Sequence, residues 1–323
     1  MGLHPALGGM ESLFFFISLC MNFTVTILGS GAAIPTSDRN PTAHLVEVRN
    51  RLLLLDCGEG TQIQLRKSGY KFQKISHIFI SHLHGDHYFG LIGLLNTMHL
   101  LGRTQPMHLY GIEPLIVTIN LQLELSGTTL AYPLIFHPFE TENPSVILDD
   151  TEITVSTIPL NHRVPTCGFI ISEKPEQRKI LKDFLAKVKV PFQYFDKIKD
   201  GDDYTDEEGV VHPNHQITND PPHARSYAYC TDTAYYEPII PLIKNCDLLY
   251  HEATFMEDKA DDAHAKFHST GREAATIALK ADVRKLVIGH YSARYKEVES
   301  LLAEAKQVFP NTILGQDGMR IEI

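Results

Sequence analysis

The sequence predicts a layered α/β domain, and three observations support this prediction. Short apolar runs with strand character alternate with runs of helical spacing from Met21 to the end of the chain. Several of the apolar runs end in glycine or an acidic residue, which is typical of a strand reaching a turn. A single charged segment, residues 172–209, interrupts the alternation. Alternation of this kind favours one layered domain with an insertion.

Five segments carry the strand pattern. FTVTILG is apolar and ends in a glycine turn, and RLLLL is an apolar run closed by Asp56 and two glycines. In EITVSTIPL, residues 152–160, apolar Ile153 and Val155 alternate with polar neighbours, which is the period of a strand. SYAYCTDT and VRKLVIGH have the composition of two further strands.

Two segments carry the clearest helix signals. HYFGLIGLLNTMHLLG, residues 87–102, has apolar residues at helical spacing. TGREAATIALKA opens with Thr270 followed three positions later by Glu273. This pair predicts a capping box, in which each side chain accepts a hydrogen bond from the other residue's backbone at the helix start.

The composition limits the classes of function. The chain has 323 residues, of which 43% are hydrophobic and 21% are charged, as in globular proteins. Its formal net charge of −10 excludes nucleic-acid binding through bulk charge, so RNA binding would need a local basic patch. The five cysteines form no C-x-x-C pair, which favours free thiols and a cytoplasmic location.

The first twenty residues are predicted to be a non-native or mis-assigned extension, with the domain spanning 21–323. LFFFISLC, residues 13–20, has the apolar character of a signal peptide. Residues 1–38 contain no Lys or Arg, however, so the positive segment of a signal peptide is missing. The run is also too short to span a bilayer, and we expect no membrane partner.

The interrupting segment, residues 172–209, is predicted to be a protruding arm or a long surface loop. Residues 172–200 contain eight Lys and Arg against five Asp and Glu, and residues 201–209 add five acids. The stretch EQRKILKDFLAKVKV within it has helical character. Long charged segments of this kind lie on the surface rather than in a core.

The segment SHLHGDH indicates a metal site. It places His82, His84, Asp86 and His87 within six positions, directly after an apolar strand. Imidazole nitrogen and carboxylate oxygen are ligands for Zn²⁺, Mn²⁺ or Fe²⁺. His82 and His84 alternate on an extended strand end, and Gly85 is expected to bend the chain before Asp86 and His87. Two adjacent metal ions are therefore the natural interpretation.

Three further residues each follow a predicted strand. His162 follows ITVSTIPLN, Asp232 follows YAYCT and His290 follows KLVIG. Active-site groups of α/β folds collect at the carboxyl ends of strands. With the first cluster these residues make five His and two Asp, enough for two metals, and Asp232 has two oxygens with which to bridge them.

These segments resemble the metallo-β-lactamase superfamily, and most closely the ribonuclease Z family of tRNA 3′-processing endonucleases. SHLHGDH, NH, TDT and GHYSARY occur in the order that the superfamily shows. LGSGAAIPTSDRN, DCGEGTQIQL, HEATF and HST are similar to ribonuclease Z segments. The resemblance covers residues 21–323 and implies a four-layer αββα sandwich with an inserted arm.

The resemblance also implies the roles of the site residues. One Zn²⁺ would be bound by His82, His84 and His162, and a second by Asp86, His87 and His290, with Asp232 bridging. Mn²⁺ and Fe²⁺ are alternatives. Asp86 would also accept a proton, and His268 would act as general acid, oriented by Glu252. The reaction would be attack of a metal hydroxide on precursor tRNA, leaving a 3′-hydroxyl on the tRNA and a 5′-phosphate on the trailer.

The resemblance further implies that the arm binds tRNA and that the protein is a homodimer. The expected RNA-binding residues are Arg39 in the SDRN segment and four arm lysines: Lys179, Lys182, Lys187 and Lys189. The arm departs from the bacterial pattern, because VPFQYFDKIKDG contains Pro191 but no Gly-Pro pair. Residues 91–101 are a candidate dimer helix, with a core helix as the alternative.

Other functions compete with this interpretation. The same site could hydrolyse small phosphodiesters such as cyclic nucleotides, or lactones, but a small substrate needs no arm. A non-catalytic RNA-binding protein that descends from such an enzyme would be expected to have lost metal ligands, and all seven candidate ligands are present. A redox di-iron protein would need a flavin partner, and the sequence carries no flavin-binding signal.

Overall fold

A computed structural model describes residues 22–323. The predicted N-terminal extension, residues 1–20, lies outside the described residues. The strands are β1 Phe23–Gly29, β2 Ala43–Val48, β3 Arg51–Leu55, β4 Ile75–Phe79, β5 Met107–Gly111, β6 Leu134–Pro138, β7 Val146–Asp149, β8 Ile153–Pro159, β9 Cys167–Glu173, β10 Lys179–Ile180, β11 Tyr204–Thr205, β12 Val211–His212, β13 Thr218–Asn219, β14 Ser226–Cys230, β15 Leu248–Glu252, β16 Leu286–Gly289, β17 Thr312–Leu314 and β18 Arg320–Glu322. The helices are α1 Thr61–Lys67, α2 Gly85–Tyr88, α3 Leu91–Leu100, α4 Pro114–Leu125, α5 Lys182–Lys187, α6 Phe195–Asp200, α7 Asn214–Ile217, α8 Ala260–Ala265, α9 Gly271–Lys280 and α10 Glu299–Val308.

Two seven-stranded sheets form the centre of the fold. The first has the order β18-β1-β2-β3-β4-β5-β6 and the second β17-β16-β15-β14-β9-β8-β7. In each sheet antiparallel pairs occupy one part and parallel pairs the other, so β3 to β6 run parallel, as do β14 to β17. The carboxyl ends of the parallel strands meet at one end of the sandwich, where ligands usually bind.

Three apolar layers stabilise this arrangement. Phe79, Phe169 and Tyr229 belong to the core between the sheets. Helices α3 and α4 cover the outer face of the first sheet with Leu94, Ile119 and their neighbours. Helices α9 and α10 cover the second sheet. The predicted four-layer αββα sandwich is confirmed, and the structure contains the expected capping box of Thr270 and Glu273.

The inserted segment folds around a small core of its own. Strands β10 and β13 pair, with Lys179 opposite Asn219, so its local structure continues past the predicted boundary at residue 209. Ile198, Tyr204 and Ile217 are buried together. Of the stretch EQRKILKDFLAKVKV, which was expected to have helical character, Lys182–Lys187 forms helix α5, and Phe184 and Val188 pack on this small core. Within residues 22–323, no helix is both long and apolar enough to cross a bilayer.

Candidate metal centre

Loops at the carboxyl ends of the strands carry the predicted ligands to one place. His82 and His84 follow β4, and α2 then presents Asp86 and His87. His162, Asp232 and His290 follow β8, β14 and β16. The expected bend at Gly85 is the start of α2, and the glycine there leaves room for the Phe89 ring, which a Cβ would approach to 2.3 Å.

A first group of four side chains encloses one candidate metal position. His84 Nδ1 lies 3.0 Å from His82 Nε2 and 3.3 Å from His162 Nε2. Oδ2 of Asp232 lies 3.8 Å from the Nε2 atoms of His82 and His162. A cation about 2.1 Å from each of four tetrahedral donors separates the donors by about 3.4 Å, so this spacing fits one ion.

A second group encloses an adjacent position. Oδ1 of Asp232 lies 3.1 Å from the Nε2 atoms of His87 and His290. Oδ2 of Asp86 lies 3.4 Å from His87 Nε2 and 3.5 Å from His290 Nε2. Asp232 thus presents one oxygen to each group, which is the arrangement of a bridging carboxylate.

The donor chemistry also fits divalent cations. The Nε2 atoms of His87 and His290 are buried and have no hydrogen-bond partner among the described residues. Such atoms are costly unless something binds them. Burial lowers the pKa of His82, His84 and His162, and so favours the neutral imidazole that binds metal.

The carboxylates create a strongly negative centre. Burial opposes ionisation of Asp86 and Asp232, but the histidines around them hold the pKa of both carboxyl groups below its usual range. The pKa of His87 rises, against the effect of burial, because Asp232, Asp86 and Asp56 surround it. The same three carboxylates would stabilise a divalent cation in place of that proton.

Hydrogen bonds around the site orient four of the five histidines. Each uses Nδ1 towards an outer partner and so turns Nε2 inward. The pairs are His82 with Ser81 Oγ at 3.0 Å, His87 with Asp56 Oδ2 at 2.8 Å, His162 with the Phe267 carbonyl at 3.0 Å, and His290 with Thr254 Oγ1 at 3.0 Å.

Glu252, which is buried, and His268, which is half-buried, form a pair beside the candidate metal positions. His268 Nδ1 lies 2.7 Å from Glu252 Oε1, and the carboxylate also accepts hydrogen bonds from the backbone N–H groups of Thr233 and Ser269. Burial opposes protonation of His268, but the Glu252 carboxylate outweighs it and raises the pKa of His268 to about 9. A protonated imidazole held in this way can act as a proton donor.

A cavity of about 800 Å³ opens over these residues. His84, Asp86, His268 and His290 line its floor, and three exposed cations, Arg163, Lys266 and Arg294, line its rim. The guanidinium of Arg294 lies 4.7 Å from the centre of the Phe255 ring, a cation–π contact that fixes its position. The cavity therefore combines a floor of candidate metal ligands with a rim on which these three cations outnumber the one exposed acid, Glu59.

Comparison with known proteins identifies the family. A family profile described as anti-Pycsar protein Apyc1 matches residues 23–174. A protein named ribonuclease Z from Bacteroides thetaiotaomicron is 47% identical over 304 residues, or 93% of this chain and 95% of that protein. The chain belongs to the ribonuclease Z family. A ribonuclease Z from Bacteroides fragilis is also 47% identical, over 93% of this chain and 99% of that protein.

Solved structures agree with this assignment. Human tRNase Z, short form, is 30% identical, with a TM-score of 0.68 over 92% of this chain and 98% of that one. The metallo-β-lactamase fold protein YhfI from Bacillus subtilis, at 21% identity and a TM-score of 0.65 over 94% of this chain and 100% of that one, shows the same fold. The predicted family and the predicted enzyme class, a hydrolytic endoribonuclease, are confirmed.

Some residues around this ribonuclease Z site were not predicted from the sequence. Asp56 was recognised as the end of a strand and as the first residue of the DCGEGTQIQL segment, but no role was predicted for it, and it contacts His87. Thr254 lies within the HEATF segment, which was the available signal, and it contacts His290. Tyr229 appeared to be an ordinary strand residue, and no sequence signal marks its hydroxyl.

The predicted RNA-binding residues do not line the cavity over the candidate metal centre. All four arm lysines, Lys179, Lys182, Lys187 and Lys189, are exposed. Arg39 is half-buried, donates a hydrogen bond to the carbonyl of Tyr295, and lies 5.8 Å from the centre of the Tyr291 ring. These contacts give Arg39 a structural role in its loop, and RNA binding by these five residues stays a prediction.

Proposed function

We propose that this ribonuclease Z family member is a zinc-dependent endoribonuclease that removes the 3′ trailer from precursor tRNA. The observation that carries the proposal is the pair of adjacent donor groups sharing Asp232, under a rim of three cations. When bound, two zinc ions would activate water and neutralise charge on the phosphoryl oxygens. The first position would use His82, His84 and His162, and the second Asp86, His87 and His290.

The protein's own residues would divide the remaining tasks. Asp86 lies at the cavity floor, where its carboxylate can accept the proton of the attacking water. The backbone N–H of Ala33 donates to Asp86 Oδ2 at 2.8 Å and fixes that carboxylate. His268, held by Glu252, can donate a proton to the departing ribose 3′ oxygen. Cleavage of that P–O bond leaves a 3′-hydroxyl on the tRNA and a 5′-phosphate on the trailer.

The rim favours a polyanionic substrate. The chain as a whole has a net charge of −10, but its cavity is lined by three cations, Arg163, Lys266 and Arg294. They form a local basic patch on an acidic protein. Phosphates on either side of the scissile bond would pair with them. Phe89, whose side chain is 63% exposed at the same cavity, offers a surface on which a base can stack.

The direct test is cleavage of a precursor tRNA that carries a 3′ trailer. We expect cleavage at the trailer junction, with the stated product ends, and its loss in His84→Ala. A cyclic nucleotide and a lactone assayed in parallel test the alternative of a small-substrate hydrolase. Hydrolysis of either small substrate without cleavage of the tRNA would replace the proposal with that alternative.

The segment between β9 and β14 is proposed to be the arm that binds tRNA, while residues 21–323 form the hydrolase domain. Replacing its four predicted lysines with glutamine would remove about four phosphate contacts. The slope of log affinity against log salt should then fall by about 3. The control replaces four exposed lysines outside the arm: Lys67, Lys71, Lys74 and Lys244. Equal effects of the two quadruple variants would refute the arm proposal.

A cytoplasmic location and a homodimer complete the proposal. Cys57, Cys167, Cys230 and Cys246 are free and buried, as expected in a reducing compartment. Helix α4 exposes Val117, Leu121 and Leu125 on one face, an apolar surface that a second subunit could cover. Light scattering should give the mass of two subunits, and the mass of one would remove the dimer from the proposal.

A further inference from the structure

Tyr229 connects the second sheet to the metal centre in a way that the reaction does not by itself require. The residue lies in β14, between the two sheets, and is fully buried. Its hydroxyl donates a hydrogen bond of 2.7 Å to Oδ2 of Asp56, which follows β3 in the first sheet. The contact therefore crosses the core of the sandwich.

Asp56 passes this contact on to His87. Its Oδ2 is also 2.8 Å from His87 Nδ1, and Ser81 donates to the carboxylate through its backbone N–H and its hydroxyl, at 2.7 and 2.9 Å. Since Asp56 accepts from Nδ1, that nitrogen carries the proton and Nε2 has its lone pair free for a metal. Asp56 adopts a left-handed backbone conformation, with φ of 56°, which these contacts hold in place.

The two metal positions differ in this outer layer. Two histidines of the first position, His82 and His162, are held by neutral groups, the Ser81 hydroxyl and the Phe267 carbonyl. His87 of the second position is held by the buried carboxylate of Asp56, which in turn accepts a hydrogen bond from the Tyr229 hydroxyl. Asp56 contacts His87 directly but reaches His82 of the first position only through the Ser81 hydroxyl, so a change at Tyr229 should affect the second position more than the first.

We propose that Tyr229 is a positioning residue for the second metal position, acting through Asp56 on His87. The proposal rests on the proposed metal centre and concerns metal binding rather than cleavage. Loss of an outer-layer partner commonly weakens metal binding by about 10- to 100-fold, and Tyr229 is one contact further out. Tyr229→Phe should therefore weaken zinc binding at the second position by about tenfold.

The neighbouring strand supplies a matched control. Tyr250 is also fully buried, and its ring stacks on that of Tyr229 with centroids 5.3 Å apart. Its hydroxyl has no hydrogen-bond partner among the described residues. Tyr250→Phe thus removes a buried tyrosine hydroxyl from the same layer of the core without removing any hydrogen bond to Asp56. It should leave zinc binding at both positions unchanged.

The experiment separates the two positions by removing a ligand from one of them. Competition with a chelator measures zinc affinity in His84→Ala, which retains the second position, and in His290→Ala, which retains the first. Tyr229→Phe should weaken the remaining site about tenfold in the His84→Ala background and have a clearly smaller effect in the His290→Ala background. In the otherwise unchanged protein, excess zinc should restore the activity that Tyr229→Phe loses.

Three results would overturn the inference. They are equal zinc affinity of Tyr229→Phe and Tyr250→Phe in the His84→Ala background, an equal loss in both single-site backgrounds, and the absence of zinc binding in the protein without any substitution. The last result would also overturn the proposed metal centre. A protein that binds zinc as expected but does not cleave precursor tRNA would overturn the proposed activity alone, with the effect of Tyr229→Phe still measurable.

Discussion

Replacement of His268 by alanine tests the proposed division of labour most sharply. His268 lines the cavity, and its Nδ1 is occupied by Glu252, so Nε2 is the nitrogen left to donate a proton to the substrate. Its pKa of about 9 lies above the ordinary value of 6.5, a preference for the protonated form worth about 3 kcal/mol. At pH 7.5 the residue is therefore charged and ready to act as an acid.

The expected loss depends on the leaving group. Proton donation by a positioned side chain contributes about a hundred- to ten-thousand-fold to a rate, so His268→Ala should slow cleavage of precursor tRNA by this factor. A nitrophenyl phosphodiester releases a stable anion that needs no proton. Its hydrolysis should fall less than about tenfold, because the ligands of both metal positions remain.

Single-turnover rates on both substrates, with zinc content measured in each sample, provide the assay. His264→Ala is the control, since His264 lies on the adjacent α8, is exposed and does not line the cavity. The reasoning would be refuted if His268→Ala slowed both substrates equally while retaining its zinc. That result would assign His268 to substrate binding or to site geometry rather than to proton transfer.

Three further predictions follow from the structure. Glu252→Gln removes the negative charge that raises the pKa of His268 against the effect of burial, so this pKa should fall. The alkaline limb of the pH–rate profile for tRNA cleavage should then move to lower pH, and an unmoved limb would contradict this. Asp232→Asn removes the charge shared by the two donor groups, so zinc measured by mass spectrometry should fall from two ions to at most one per subunit, and retention of both would exclude bridging. Gly58→Ala would place a Cβ 2.4 Å from the carbonyl oxygen of Asp86, so the free energy of unfolding, measured by thermal denaturation, should fall by about 1–3 kcal/mol. An unchanged melting temperature would show that the loop can move to accommodate the methyl group.

Much of the site could be predicted because its residues follow strands. His162, Asp232 and His290 are far apart in sequence, but each comes directly after an apolar run. Strands β14 and β16 belong to the parallel part of the sheet, and β8 runs in the same direction as β14 because β9 between them is antiparallel to both. Strands that run in one direction bring their carboxyl ends to one edge, so the position of a residue after a strand was enough to place it. The alternation of apolar and polar residues in β8 and the capping box of α9 were equally local signals.

The outer layer of the site could not be predicted, because its contacts depend on the packing of the two sheets. Tyr229 and Tyr250 have the same residue type, the same burial and neighbouring strands, and only the position of Asp56 gives one hydroxyl a partner. The small core of the inserted segment could not be predicted for a related reason. The stretch EQRKILKDFLAKVKV indicated only helical character, whereas Phe184 and Val188 pack with Ile198, which lies outside that stretch.

Anomalous X-ray scattering at the zinc edge, from crystals grown with zinc, would test the central claim most directly. We predict two peaks, one enclosed by His82, His84 and His162 and the other by Asp86, His87 and His290, with one oxygen of Asp232 directed at each. A single peak, or peaks away from Asp232, would contradict a shared two-metal centre and the phosphodiester chemistry assigned to it.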